Sequence, residues 1–163
     1  MNKQDITILG ISPGTQHYGI AVLRNGRLKD RRVKNFLEAW SLKKLNNIQK
    51  VIRGYLEKYD ISAIALKTPF PYKTSDSYIL VEDAIKKLAD QNNIKLYFYS
   101  IEELERYYSG EKKVNKETLM AGVLEEFPEM TFEHRKEQQR KMPYYVKAFE
   151  AIAVARLCTD EIK

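Results

Sequence analysis

The side chains best suited to chemistry in this sequence are cationic and aromatic. Arg24, Arg27, Lys29, Arg31, Arg32 and Lys34 are crowded into one short stretch, offset only by Asp30, and Arg135, Lys136, Arg140 and Lys141 form a second group. Eleven tyrosines include the pairs Tyr107-Tyr108 and Tyr144-Tyr145. Cations in such runs can track a phosphate backbone and release its counterions, and aromatic faces can stack on bases. The same residues also suit solvated faces, protection of an edge strand, and core tyrosines with a wet hydroxyl, so both readings stay open. Asp76, Glu82 and Asp83 could offer oxygen to a hard cation, or simply favour the start of a helix. Ser12-Pro13-Gly14-Thr15 reads as a β-turn carrying two hydroxyls, with His17 just beyond as a turn residue or an acid-base group. The lone Cys158 and two histidines can make neither an internal disulfide nor a four-ligand structural zinc site.

Charge and length narrow the classes. The 28 Lys and Arg against 22 Asp and Glu give a net charge of +6, which favours polyanionic partners such as nucleic acid and says nothing about fold. A chain of 163 residues buries one ordinary core and is too short for two full domains, so one domain over 1–163 is expected. The large two-lobed ATPases are excluded, and with them a nucleotide-cradling role for the Ser12–Thr15 turn. With 44% hydrophobic and 31% charged residues the composition is that of a soluble globular protein. The sequence has no long apolar window, and Met1-Asn2-Lys3-Gln4-Asp5 runs straight into a strand-like segment. Neither a membrane span nor a signal peptide is expected, and the default location is cytoplasmic.

Periodicity supplies the elements. Ile6–Ile11 and Tyr18–Leu23 are apolar runs joined by the Pro-Gly turn, and Asn25-Gly26 signals a hairpin into Leu28–Phe36. From Ser41 the period becomes helical, with Leu42, Leu45, Ile48, Ile52, Tyr55, Leu56 and Tyr59 on one stripe and Lys43, Lys44, Lys50 and Lys58 off it. A buried strand at Ile61–Leu66, a Pro69–Pro71 loop, a helix over Ser77–Gln91 and a strand at Ile94–Tyr99 follow. Ser100-Ile101-Glu102-Glu103 is a capping box opening another helix. A helix over Lys116–Phe127, a polar link containing His134–Lys141 and a last helix from Pro143 to Cys158 complete the chain. Three antiparallel strands followed by alternating helices and strands predict an α/β fold, a mixed five-stranded sheet flanked by helices.

That order, together with three motifs, resembles the RuvC-type Holliday-junction resolvases of the RNase H-like superfamily over nearly the whole chain. The first motif is Ile8-Leu9-Gly10-Ile11-Ser12-Pro13-Gly14-Thr15 with Gly19-Ile20-Ala21-Val22 at the family's spacing, where the family has Asp in place of Ser12. The second is Ala63-Ile64-Ala65-Leu66-Lys67, which in the family ends in Glu at the position of Lys67. The third is Lys147-Ala148-Phe149-Glu150-Ala151-Ile152-Ala153-Val154-Ala155, similar to the family's final helix, with its two Asp positions on Lys147 and Glu150. A weaker match runs through Tyr107-Tyr108-Ser109-Gly110 and Asn115-Lys116-Glu117.

The resemblance implies an RNase H-like fold, a nucleic-acid partner with branched DNA foremost, and a homodimer. It also implies that the four matched positions hold two magnesium ions that activate water for phosphodiester hydrolysis. Here only Glu150 remains acidic, so the formal charge there changes from −4 in the family to +1. Each lysine about 5 Å from a doubly charged ion would oppose it by roughly 6 to 7 kcal/mol at an effective dielectric near 20. The expectation is therefore a RuvC-like nucleic-acid-binding protein that lacks the two-metal nuclease and needs no metal cofactor. Ser12, Thr15, Lys67 and Lys147 would receive a phosphate directly, and Arg24, Arg27, Arg31, Arg32 and Lys141 would contact the backbone; Glu150 is a partner for Lys67 or Lys147, or a residual base. A nuclease rebuilt on Glu150, Asp76 and Asp83 and a protein-interaction scaffold are the alternatives.

Overall fold

A computed structural model describes residues 4–70, 74–109 and 115–162. Pro71, in the predicted loop, and Gly110, in the weaker match, lie outside the described residues. Five strands, β1 (Thr7–Ser12), β2 (His17–Arg24), β3 (Arg27–Asn35), β4 (Ala63–Thr68) and β5 (Lys95–Ser100), form one sheet in the order β3-β2-β1-β4-β5. β1 lies in the middle and is buried at every position, hence its unbroken apolar sequence. β1, β2 and β3 pair antiparallel, while β4 and β5 add in parallel, as the element order predicts. The β2–β3 hairpin turns on Asn25 (φ 51°) and Gly26 (φ 80°), the left-handed pair that matches the twist of the strands.

Helices cover both faces. α1 (Leu42–Lys58) and α2 (Asp76–Gln91) pack on one side, against Leu9, Ile11, Ile20, Ile64 and Leu66. α3 (Ile101–Ser109), α4 (Lys116–Glu126) and α6 (Val146–Ile162) pack on the other, against Ile8, Ala21, Ala63 and Ala65. Side-chain alternation along β1 and β4 therefore puts Ser12 and Lys67 on the α6 face. Local caps fix where the helices begin. Ser41 and Ser75 accept from Lys44 N and Tyr78 N at 3.1 Å each, and the Ser100–Glu103 capping box forms as the sequence predicts.

α6 approaches the sheet more closely than side chains would allow. A Cβ on Gly10 would stand 2.1 Å from the Ala151 carbonyl oxygen, and one on Gly19 would stand 1.8 Å from that of Lys147. The helix backbone thus rests directly on β1 and β2 through two glycines, with Ala148, Ala151, Ala153 and Ala155 buried along it.

The segment read from the sequence as a polar link is ordered. A 3-10 turn over Pro128–Met130 leads into α5 (Thr131–Gln138), whose Glu133 and Glu137 are buried. The Glu137 carboxylate accepts from the backbone N–H of Tyr144 (3.1 and 3.2 Å), Tyr145 (2.9 Å) and Val146 (3.1 Å). It caps α6 from another helix, which is why α6 starts at Val146 and not at the predicted Pro143. Glu137→Gln keeps the shape and removes the charge, and should lower stability by about 2 kcal/mol in urea titration. A loss below roughly 0.5 kcal/mol would mean that water caps the helix equally well. Among the described residues no helix is long and apolar enough to cross a membrane.

Candidate functional site

Ser12 ends β1, and Lys67 comes next to last in β4. The strands run parallel with Ile11 opposite Leu66, so Ser12 and Lys67 emerge side by side at the carboxyl ends of the strands. Glycine-mediated contact of α6 then brings Lys147 and Glu150 onto the same spot. Glu150 is 6% exposed, and Ser12 is fully buried. The Ser12 hydroxyl donates to Glu150 Oε1 (2.8 Å), Lys67 Nζ donates to Oε2 (3.1 Å), and Lys147 Nζ lies 3.5 Å from Oε1. Lys147 also donates to the Pro13 carbonyl at 3.3 Å, tying the helix to the β1–β2 turn.

Burial alone would raise the Glu150 pKa, but Lys67, Lys147 and the Ser12 hydroxyl outweigh it and hold the carboxyl below its ordinary value. Lys147 moves down from the ordinary lysine value, because burial, helped by the Lys67 charge, outweighs the attraction of Glu150. With Ser12 neutral, two ammonium groups and one carboxylate leave the cluster at +1. It is a cationic corner whose internal counterion is already seated.

The four matched residues therefore converge, while other residues singled out in the sequence do not join them. Thr15 is exposed, its carbonyl accepts from Lys44 Nζ at 2.7 Å, and it lines a cavity on the α1–α2 side. Alternation along β3 splits the basic stretch. Arg31 pairs with Glu133 (3.0 Å) and donates to the Glu129 carbonyl, whereas Arg32 faces α1 beside Asp30, Lys34, Lys50 and Lys58. Arg24 bonds Asp5, and Arg27 and Lys141 are exposed. Asp76 and Asp83 are exposed on α2, and among the described residues no three His, Cys, Asp or Glu side chains gather as metal ligands. The relocated-acid arrangement with Glu150 is thus not formed, since α2 packs on the opposite face of the sheet from α6. His17 opens β2 and bonds the Asn35 side chain at 2.9 Å.

Two residues escaped the sequence reading. Glu105 on α3 is close enough to feel the cluster; burial and the Glu150 charge raise its pKa, and Lys67 opposes them. Nothing in its local pattern marks it, because the neighbouring capping box accounts for the acids there. Lys44 was placed off the apolar stripe of α1, yet it is 4% exposed, its ammonium bonded to the carbonyls of Thr15 (2.7 Å) and Glu38 (3.0 Å).

The arrangement of strands and helices can be compared with known structures. Thermus thermophilus RuvC in complex with a Holliday junction substrate superposes with a TM-score of 0.70 at 18% identity, over 94% of this chain and 97% of that one. A second structure of Thermus thermophilus RuvC gives 0.71 at 17% identity, over 93% and 92%. This chain has the RuvC fold. No family model matches the sequence, and no curated protein matches it. Within the RuvC fold the Ser12–Lys67–Glu150 corner lies at the carboxyl ends of β1 and β4, the edge at which open α/β sheets commonly receive ligands.

Proposed function

We propose that this protein binds branched nucleic acid in the manner of a RuvC-like module and does not hydrolyse it by two-metal catalysis. The observation that carries the reading is the Glu150 corner set in a RuvC fold. Both oxygens of its one carboxylate are taken by ammonium groups at 3.1 and 3.5 Å, and the third matched position is a hydroxyl. Hard divalent cations need several anionic or neutral oxygens converging on one point. Here the carboxylate is surrounded by one hydroxyl and two ammonium donors, so the residues present do not fit a pair of magnesium ions. No step through such ions is derived.

The same corner suits an anion. The donor character of Lys67 and Lys147 and the +6 charge of the whole chain favour a phosphate backbone, against which the neighbouring Glu105 acts. The neighbour solved on a Holliday junction substrate supports a branched ligand over a linear one. Arg27, Arg32 and Lys141 are free of bonds to the corner and are available to the flanking duplex.

Fluorescence anisotropy with a four-way junction, duplex DNA, single-stranded DNA and duplex RNA, at two salt concentrations and with magnesium or EDTA, tests the reading. The expected result is preference for the junction, affinity that falls steeply with salt, no change with EDTA and intact substrate after incubation with magnesium. Magnesium-dependent cleavage would overturn the inactive assignment. Absence of binding at low salt would overturn the nucleic-acid assignment and leave the scaffold.

A further inference from the structure

On the sheet face opposite Glu150, at the same end, a cavity of about 500 Å³ opens between the β1–β2 turn, the link before α1 and the first turn of α2. That volume suits a small ligand with an aromatic ring. Its walls include two residues that can donate a hydrogen bond into it, Lys44 and Tyr18. Lys44 spends two of its three ammonium protons on the carbonyls of Thr15 and Glu38, and among the described residues it forms no ion pair. The carboxylate of Glu38 is held instead by Asn47 Nδ2 at 3.1 Å. Tyr18 is 3% exposed, and its hydroxyl makes no hydrogen bond with a described residue.

The remaining walls mix polar Gln16, Ser75 and Ser77 with the aromatic rings of Trp40 and Tyr78. Trp40, 39% exposed, and Tyr78 flank the opening. Two buried residues able to donate, lining one cavity with two aromatic rings, suit a planar ring bearing a carbonyl oxygen. The cavity is also joined to the cationic corner, since Pro13 and Gly14 line it while the Pro13 carbonyl accepts from Lys147 Nζ.

We infer that the cavity receives one unpaired nucleobase, its carbonyl edge on Lys44 and the Tyr18 hydroxyl and its ring against Trp40 and Tyr78. The inference rests on the nucleic-acid reading above and gives it a contact that distinguishes unpaired from paired positions.

Trp40 is the only tryptophan, so its emission reports the cavity directly. Labelled DNA duplexes, one fully paired, one with a single unpaired thymidine and one with an abasic residue at that position, would be titrated while anisotropy and Trp40 emission are read together. Free thymidine monophosphate forms a fourth arm. The expected result is saturable quenching by the unpaired thymidine only, and a Tyr18→Phe variant that loses about fivefold in affinity for that duplex while binding the paired duplex unchanged. Anisotropy that rises equally for all three duplexes with no quenching would overturn the cavity assignment and leave the nucleic-acid reading standing. Quenching by the free nucleotide with no DNA binding would uphold the nucleobase pocket and overturn the reading of a nucleic-acid strand. No response in either channel would overturn both.

Discussion

Lys67→Met is expected to lower stability by about 3 kcal/mol at neutral pH, a large effect for a residue near the surface end of a strand. The reason is the partner it abandons. Glu150 is buried and carries its charge because Lys67, Lys147 and Ser12 pay its desolvation together. Methionine fills the volume of the lysine stem and provides no counter-charge, leaving the carboxylate with one ammonium at 3.5 Å. Adding Glu150→Gln to this variant removes the stranded charge and should recover most of the loss, which separates electrostatics from packing. The pH dependence has a fixed sign. The folded pKa of Glu150 lies below the ordinary 4.5, so its contribution is fully present above that value and is lost as pH falls through the lower, folded one. The difference between wild type and Lys67→Met should therefore be widest near neutrality and shrink in acid. Urea titrations across pH check this, and a difference independent of pH would show that the pair contributes by packing alone.

Introducing the acids that the resemblance places at these positions should give the corner an affinity for magnesium. In the triple variant Ser12→Asp, Lys67→Glu, Lys147→Asp, four carboxylates converge where one now sits between two ammonium groups. Without metal the mutual repulsion should depress the melting temperature. With magnesium at about 100 times its dissociation constant, binding contributes about 2.7 kcal/mol, which for a chain of this size is a rise of roughly 5 to 10 °C. Wild type should show no such response. Thermal melts with magnesium and with EDTA decide the matter. An unresponsive triple variant would mean that the four positions do not converge as the contacts around Glu150 require.

Much of the frame was legible because its determinants are local. Pro13-Gly14 and Asn25-Gly26 mark the two reversals, the apolar run Ile6–Ile11 marks a strand, and Ser41 and Ser100 mark helix starts. What could not be read depends on partners distant in the chain. α5 looked like a polar link because its buried acids, Glu133 and Glu137, serve Arg31 and the amides of α6 and not a hydrophobic stripe. Lys44 looked like one more solvated lysine because Thr15, whose carbonyl buries its charge, lies 29 residues away. At the site itself Ser12, Lys67, Lys147 and Glu150 were legible only through the motif resemblance. No local pattern distinguishes a lysine that guards a carboxylate from one that faces water.

The contact of α6 with Gly10 and Gly19 has a consequence for how such a site changes over time. The helix is seated by main chain on main chain, so its position is set by the glycines, while the side chains at positions 12, 67, 147 and 150 need only satisfy one another. A different set of mutually balanced side chains at those four positions would leave strand order, helix position and the edge offered to a ligand where they are. Chemistry in this protein is a removable part. The two glycines are not, and a lineage that altered either one would lose the place where any chemistry could be mounted.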